Sequence, residues 1–113
     1  MGCVMPQQVP TVSAAEVPED AALLDVREDG EWVAGHAEGA THIPMGDVPA
    51  RLDEVPDGDP VYVVCRSGGR SARVAAWLNL NGYDAVNVAG GMGEWEAAGR
   101  PLVSETGQPP FVR

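Results

Sequence analysis

The chain has 113 residues, which suits one domain and is too short for two. Its formal net charge of −10 argues against nucleic acid and against an anionic membrane surface as partners, and no stretch of the sequence has the length of a membrane span. There is no lysine, and of the seven arginines Arg66, Arg70 and Arg73 fall close together, so the positive charge is concentrated at one place in an otherwise acidic chain.

Residues 1–8 read as a flexible N-terminal tail, interrupted by Pro6 and followed by Pro10, with no basic segment or apolar run that would make a signal peptide. A cytoplasmic protein is expected. Met1-Gly2-Cys3 faintly resembles a myristoylation signal, but Pro6 stands where that signal wants Ser or Thr. Cys3 is expected to be a bystander, the alternative being a thiol that reaches Cys65 and resolves it. Residues 9–12 read as a short first strand, and Ser13 caps a helical turn over 14–17 that Pro18 ends. Ala21-Ala22-Leu23-Leu24-Asp25-Val26 reads as a buried strand. Asp29 then caps a helix through Glu31, Trp32 and Val33, which Gly35 ends by taking the left-handed conformation. Trp32 is assigned to the core. Residues 40–43 make a minimal strand stopped by Pro44, and an amphipathic stretch over 48–52 leads to the turn cluster Pro56-Asp57-Gly58-Asp59-Pro60.

Val61-Tyr62-Val63-Val64 is apolar throughout, as a strand covered on both faces is, and is predicted near the centre of its sheet. Residues 71–80 place Ala72, Val74, Ala75, Ala76, Trp77 and Leu78 on one wide apolar surface, the strongest helix of the chain, ended by Asn81-Gly82. Residues 83–88 give another strand. Ala89-Gly90-Gly91 then turns into a last helix around Glu94, Trp95 and Ala98, with Gly99 as its stop. Trp77 and Trp95 are assigned to the core. Beyond Val103 the chain is polar and carries Pro109-Pro110, so 104–113 reads as a loose C-terminal tail and the domain as 9–103. Strands alternating with short helices predict an α/β fold: one parallel sheet of about five strands, right-handed crossovers and helices on both faces.

Cys65-Arg66-Ser67-Gly68-Gly69-Arg70-Ser71 places a thiol between the 61–64 strand and the 71–80 helix. On such sheets ligands bind beyond the carboxyl ends of strands. A cysteine entering a tight Gly-Gly turn there faces backbone N–H groups without helical partners and the positive end of a helix dipole. Arg66 and Arg70 add two cations, so a thiol more acidic than a free cysteine is expected, in a loop that binds a small anion.

Four segments in this order resemble a known family: Leu24-Asp25-Val26-Arg27-Glu28; Gly35-His36-Ala37-Glu38-Gly39-Ala40 leading to His42-Ile43-Pro44; the Cys65 to Ser71 loop; and Gly90-Gly91-Met92-Gly93-Glu94-Trp95. The chain is similar to a single-domain rhodanese, a thiosulfate sulfurtransferase, over 9–103. The resemblance implies an active loop from Cys65 to Arg70, with Cys65 carrying a persulfide whose outer sulfur points into a cradle of backbone amides. Related dual-specificity phosphatases and arsenate reductases have a loop one residue longer that ends in arginine, and here that position holds Ser71. By analogy Asp25 and Arg27 are a structural pair that braces the second strand against the loop. His36 and His42 are read as shape-holding residues, not as a general base and not as metal ligands.

The implied reaction is a double displacement. The Cys65 thiolate takes the outer sulfur of thiosulfate, sulfite leaves past Arg66, Arg70 and the loop amides, and cyanide, a thiol or a sulfur-carrier protein then removes the sulfur. No metal and no cofactor beyond the covalent persulfide are expected, and a monomer is the default. The alternative of another class is a persulfide-carrying module that docks on one partner. A phosphatase or arsenate reductase stands behind both.

Overall fold

The computed structural model describes residues 9–113, so the expectations for 1–8, Cys3 among them, lie outside the described residues. The apolar run 61–64 forms β5 (Val61–Val64), the middle strand of a five-stranded parallel sheet. Its neighbours are β2 (Ala22–Asp25) and β6 (Ala85–Ala89), and the edges are β4 (Thr41–His42) and β1 (Thr11–Ser13), giving the order β1-β6-β5-β2-β4. The central position accounts for the absence of polar alternation, because both faces of β5 are covered. Val61, Val63 and Cys65 face α2 (Gly69–Leu80) within a cluster that includes Leu24, Ile43, Val74 and Leu78. Val64 faces the opposite cluster, built with Leu23, Val88, Met92 and Trp95, the last two from α3 (Gly91–Ala97). The expected α/β architecture with helices on both faces is therefore the observed one.

Local departures have physical causes. Helix α1 (Asp29–Ala34) is capped one residue earlier than expected, at Glu28, whose N–H donates to Glu31 Oε1 at 3.0 Å. Gly35 ends it with φ 176°, an extended conformation open to any residue. What requires glycine there is space, since a Cβ would run into the backbone of Phe111. Trp32 is half-buried rather than core, stacked on His36 with ring centroids 3.4 Å apart and on His42 at 4.7 Å. The amphipathic 48–52 stretch belongs to two 3-10 turns, Met45–Asp47 and Pro49–Glu54. Trp77 is half-buried against the α2-side cluster, whereas Trp95 is buried.

Two corrections concern the end of the chain. A second, two-stranded antiparallel sheet pairs β3 (His36–Ala37) with β7 (Leu102–Val103), so the strands do not all belong to one sheet. Strands of two residues are too short to carry a period. The 104–113 segment is irregular but anchored, which overturns the loose tail: Glu105 N–H donates to Val33 O at 2.9 Å, Phe111 N–H to Ala34 O at 3.1 Å, and Val112 is buried in the α3-side cluster. A polar composition concealed this, because one apolar side chain and a few backbone hydrogen bonds suffice to hold it.

Candidate active site

Cys65 leaves β5 at the carboxyl edge of the sheet, between two neighbouring strands, and is 1% exposed. Arg66, Ser67 and Gly69 form an exposed rim above it, with Gly68 and Arg70 half-buried. Gly68 takes φ 112°, a conformation that side chains resist, and serves as the N-cap of α2. In that geometry its N–H donates to Cys65 Sγ at 3.0 Å. Ser71, fully buried on the first turn of α2, donates its hydroxyl toward the same sulfur at 3.3 Å.

The outward side of the loop is tied down by α3. Met92 N–H donates to Cys65 O at 2.7 Å and Gly93 N–H to Arg66 O at 3.0 Å. Gly91, at φ 54°, lets the two backbones meet, because a Cβ there would collide with Cys65 O. With its carbonyls held by α3, the loop turns its amides toward the sulfur. Burial pushes the Cys65 thiol up, but the Ser71 hydroxyl and the N–H groups of Ser71, Gly68 and Ser67 outweigh it, and the thiol lies below its ordinary value.

The two loop arginines are placed differently from the expectation. Arg66 Nε donates to the main-chain oxygen of Arg113 at 3.0 Å. Arg70 is held bidentately by Glu31, Nη1 to Oε1 at 2.8 Å and Nη2 to Oε2 at 3.0 Å. The Arg70 hydrogen bonds draw the Glu31 carboxyl down to about 2. Arg70 still lies near enough to Cys65 for the thiolate to raise its own basicity, after the larger effect of Glu31. The thiolate is thus supported mainly by amides and a hydroxyl, and both nearby cations are already engaged within the chain.

Asp25 and Arg27 are both fully buried and paired, Arg27 Nη2 to Asp25 Oδ2 at 2.7 Å. Arg27 Nη2 also donates to Gly35 O at 2.8 Å, so the pair joins the end of β2 to the end of α1. That differs from a brace against the Cys65 loop, and the alternation of β2 explains it: Leu24 and Val26 face α2, which turns Asp25 to the other side. His42 Nε2 lies 2.7 Å from Arg27 O, and His36 Nε2 lies 2.7 Å from Glu105 Oε2, so both histidines hold neighbouring segments.

Asn87 and Glu31 belong to the site without having been expected there. Asn87 on β6 pairs in register with Val63, which puts its side chain on the α2 face, and its Oδ1 accepts the Ser71 hydroxyl at 2.6 Å. A polar residue inside the apolar Ala85-Val86-Asn87-Val88 run was the available signal, since buried polar groups need partners. Glu31 had no such signal, because it lies 39 residues from Arg70 in sequence.

The model of the rhodanese-like domain family matches residues 12–98. The Bacillus subtilis protein YtwF is 45% identical over 87 residues, covering 76% of this chain and 84% of its own length. Thiosulfate sulfurtransferase GlpE of Actinobacillus pleuropneumoniae is 35% identical over 85 residues, 74% of this chain and 79% of that protein. A crystal structure of a rhodanese-related protein from Thermoplasma volcanium superposes with a TM-score of 0.77 at 29% identity, covering 83% of this chain and 97% of that one. The parallel sheet with a cysteine loop at its carboxyl edge and the matched 12–98 span agree, and the chain belongs to the rhodanese-like sulfurtransferase family.

Proposed function

We propose that the protein moves a sulfane sulfur from thiosulfate to a thiophilic acceptor through a persulfide on Cys65. The observation that carries this reading is the convergence of the Gly68 amide and the Ser71 hydroxyl on Cys65 Sγ, which favours the thiolate even in a buried site. In the first step the thiolate attacks the outer sulfur of thiosulfate; the new S–S bond forms as the old one breaks, and sulfite leaves with its electron pair. In the second step cyanide, a thiol or a sulfur-carrier protein attacks that outer sulfur and restores the thiolate. The loop amides are the groups available to hold the added sulfur, whereas Arg66 and Arg70 are each engaged within the chain. The likeness to GlpE, named a thiosulfate sulfurtransferase, supports thiosulfate as the donor. The proposed setting is the cytoplasm and the proposed working unit a monomer.

A persulfide carrier that hands its sulfur to one docked partner is the second reading, favoured by the burial of Cys65, a residue only 1% exposed. Intact mass before and after thiosulfate, then after cyanide, tests both with Cys65→Ser alongside. Gain of one sulfur on the wild type alone, removed by cyanide with ping-pong turnover, supports the enzyme. Stable loading without turnover supports the carrier, and substantial turnover by Cys65→Ser would sink both.

A further inference from the structure

The loop arginines of this chain differ from free anion-binding cations in one respect: each already has an internal acceptor. Arg70 gives two hydrogen bonds to the two oxygens of Glu31, at 2.8 and 3.0 Å, and Arg66 gives one to the main-chain oxygen of Arg113. Glu31 is itself fixed, since its Oε1 also accepts the Glu28 N–H at 3.0 Å on the first turn of α1. It is 19% exposed and Arg70 is 31% exposed, so the pair is reached by solvent beside the Cys65 loop. Glu28 and the Cys65 thiolate act on Arg70 besides Glu31, and Arg27 acts on Glu31, while the guanidinium of Arg113 lies against Gly30 of α1.

We infer that Glu31 is a specificity-determining residue for the sulfur donor: by holding Arg70 in a bidentate pair it withholds that cation from doubly charged donors and tunes the entrance toward singly charged ones. This rests on the sulfur-transfer reading. A dianion entering beside Arg70 must either displace the Glu31 carboxylate or approach it, and the unfavourable interaction grows in proportion to the charge of the donor. A monoanion with the same reacting sulfur meets half of it. Thiosulfate and methanethiosulfonate form such a pair. In both, the Cys65 thiolate takes the terminal sulfur and one S–S bond replaces another, releasing sulfite from the first and methanesulfinate from the second.

The experiment measures kcat and KM for both donors at low salt, with cyanide as acceptor, in the wild type, Glu31→Gln and Glu31→Asp. Glu31→Gln keeps the shape and removes the charge. It is expected to raise kcat/KM about tenfold for thiosulfate and about threefold for methanethiosulfonate, mainly through KM, since the logarithm of the effect scales with donor charge. Glu31→Asp keeps the charge and is expected to keep the wild-type ratio between donors. An equal change for both donors, or a fall for thiosulfate, overturns the assignment. Because the effect is electrostatic, the gain of Glu31→Gln over the wild type for thiosulfate is expected to shrink as salt is raised, and a gain indifferent to salt overturns the proposal. Absence of sulfur on Cys65 after either donor overturns the sulfur-transfer reading itself, and this assignment with it; loading by both donors with an unchanged ratio in Glu31→Gln overturns the role of Glu31 alone.

Discussion

Replacing Ser71 by alanine removes one of the donors that hold the Cys65 thiolate. Ser71 Oγ lies 3.3 Å from Sγ, yet it also lies 2.6 Å from Asn87 Oδ1, and one hydroxyl proton serves both acceptors. A hydrogen bond to a charged group contributes about 1.5–3 kcal/mol. Sharing with Asn87 places the expected loss near the lower end, about 1.4 kcal/mol, which corresponds to a rise of about one pKa unit for Cys65. The sign follows from the chemistry, since the hydroxyl favours the ionised form and its removal favours the neutral thiol. The consequence for rate reverses with pH. Attack on a disulfide depends on the thiolate fraction and on thiolate nucleophilicity, which rises with pKa at a slope of about 0.4–0.5. Below both pKa values Ser71→Ala should react with a small uncharged disulfide about three- to fourfold more slowly than the wild type. Above both it should react about threefold faster. The assay is a pH–rate profile of that reaction, followed by intact mass so that Cys65 alone is counted. Profiles that superpose, or a uniform slowing at every pH, would refute the reasoning, the second outcome indicating a displaced loop rather than a lost donor.

The remaining predictions concern what holds the loop and its strand. Asp25→Asn leaves the Arg27 guanidinium buried without its counter-charge, and Arg27 Nη1 already has no hydrogen-bond partner among the described residues, so a loss of about 3–5 kcal/mol is expected in urea unfolding. A loss below about 1 kcal/mol would show that the pair is dispensable. Gly91→Ala brings a Cβ into Cys65 O at φ 54°, whereas Gly39→Ala, at φ 83°, meets nothing within 4 Å among the described residues. Gly39→Ala should therefore cost only the left-handed strain, about 1–2 kcal/mol, and Gly91→Ala about 1–3 kcal/mol more through the clash. Gly91→Ala should also slow sulfur loading while Gly39→Ala leaves it unchanged; equal losses of stability and rate for the two variants would show that the α3 contact does not position the loop.

Much of the architecture was legible in short apolar runs. Val61-Tyr62-Val63-Val64 has no polar alternation because both of its faces are covered, and that alone placed it in the middle of the sheet with Cys65 at the end where such sheets bind ligands. The Gly68-Gly69 turn into an apolar helix marked where amides would face a thiol, since only a residue free to take φ 112° closes that turn. These are local properties, set by neighbours in the chain. The partners of each charge are not local. Glu31 meets Arg70 across 39 positions and Arg113 reaches Arg66 across 47, and nothing in a linear pattern of charges specifies which pairs will close. Asn87 comes under Ser71 only because β6 lies beside β5 in a register that pairs Asn87 with Val63. The sequence by itself determined the five-stranded sheet, the place of Cys65 at its carboxyl edge and the family. Tertiary structure alone decided that a hydroxyl and amides, rather than the two loop arginines, are the main support of the thiolate, because strand register and helix packing choose the neighbour of every buried or charged group.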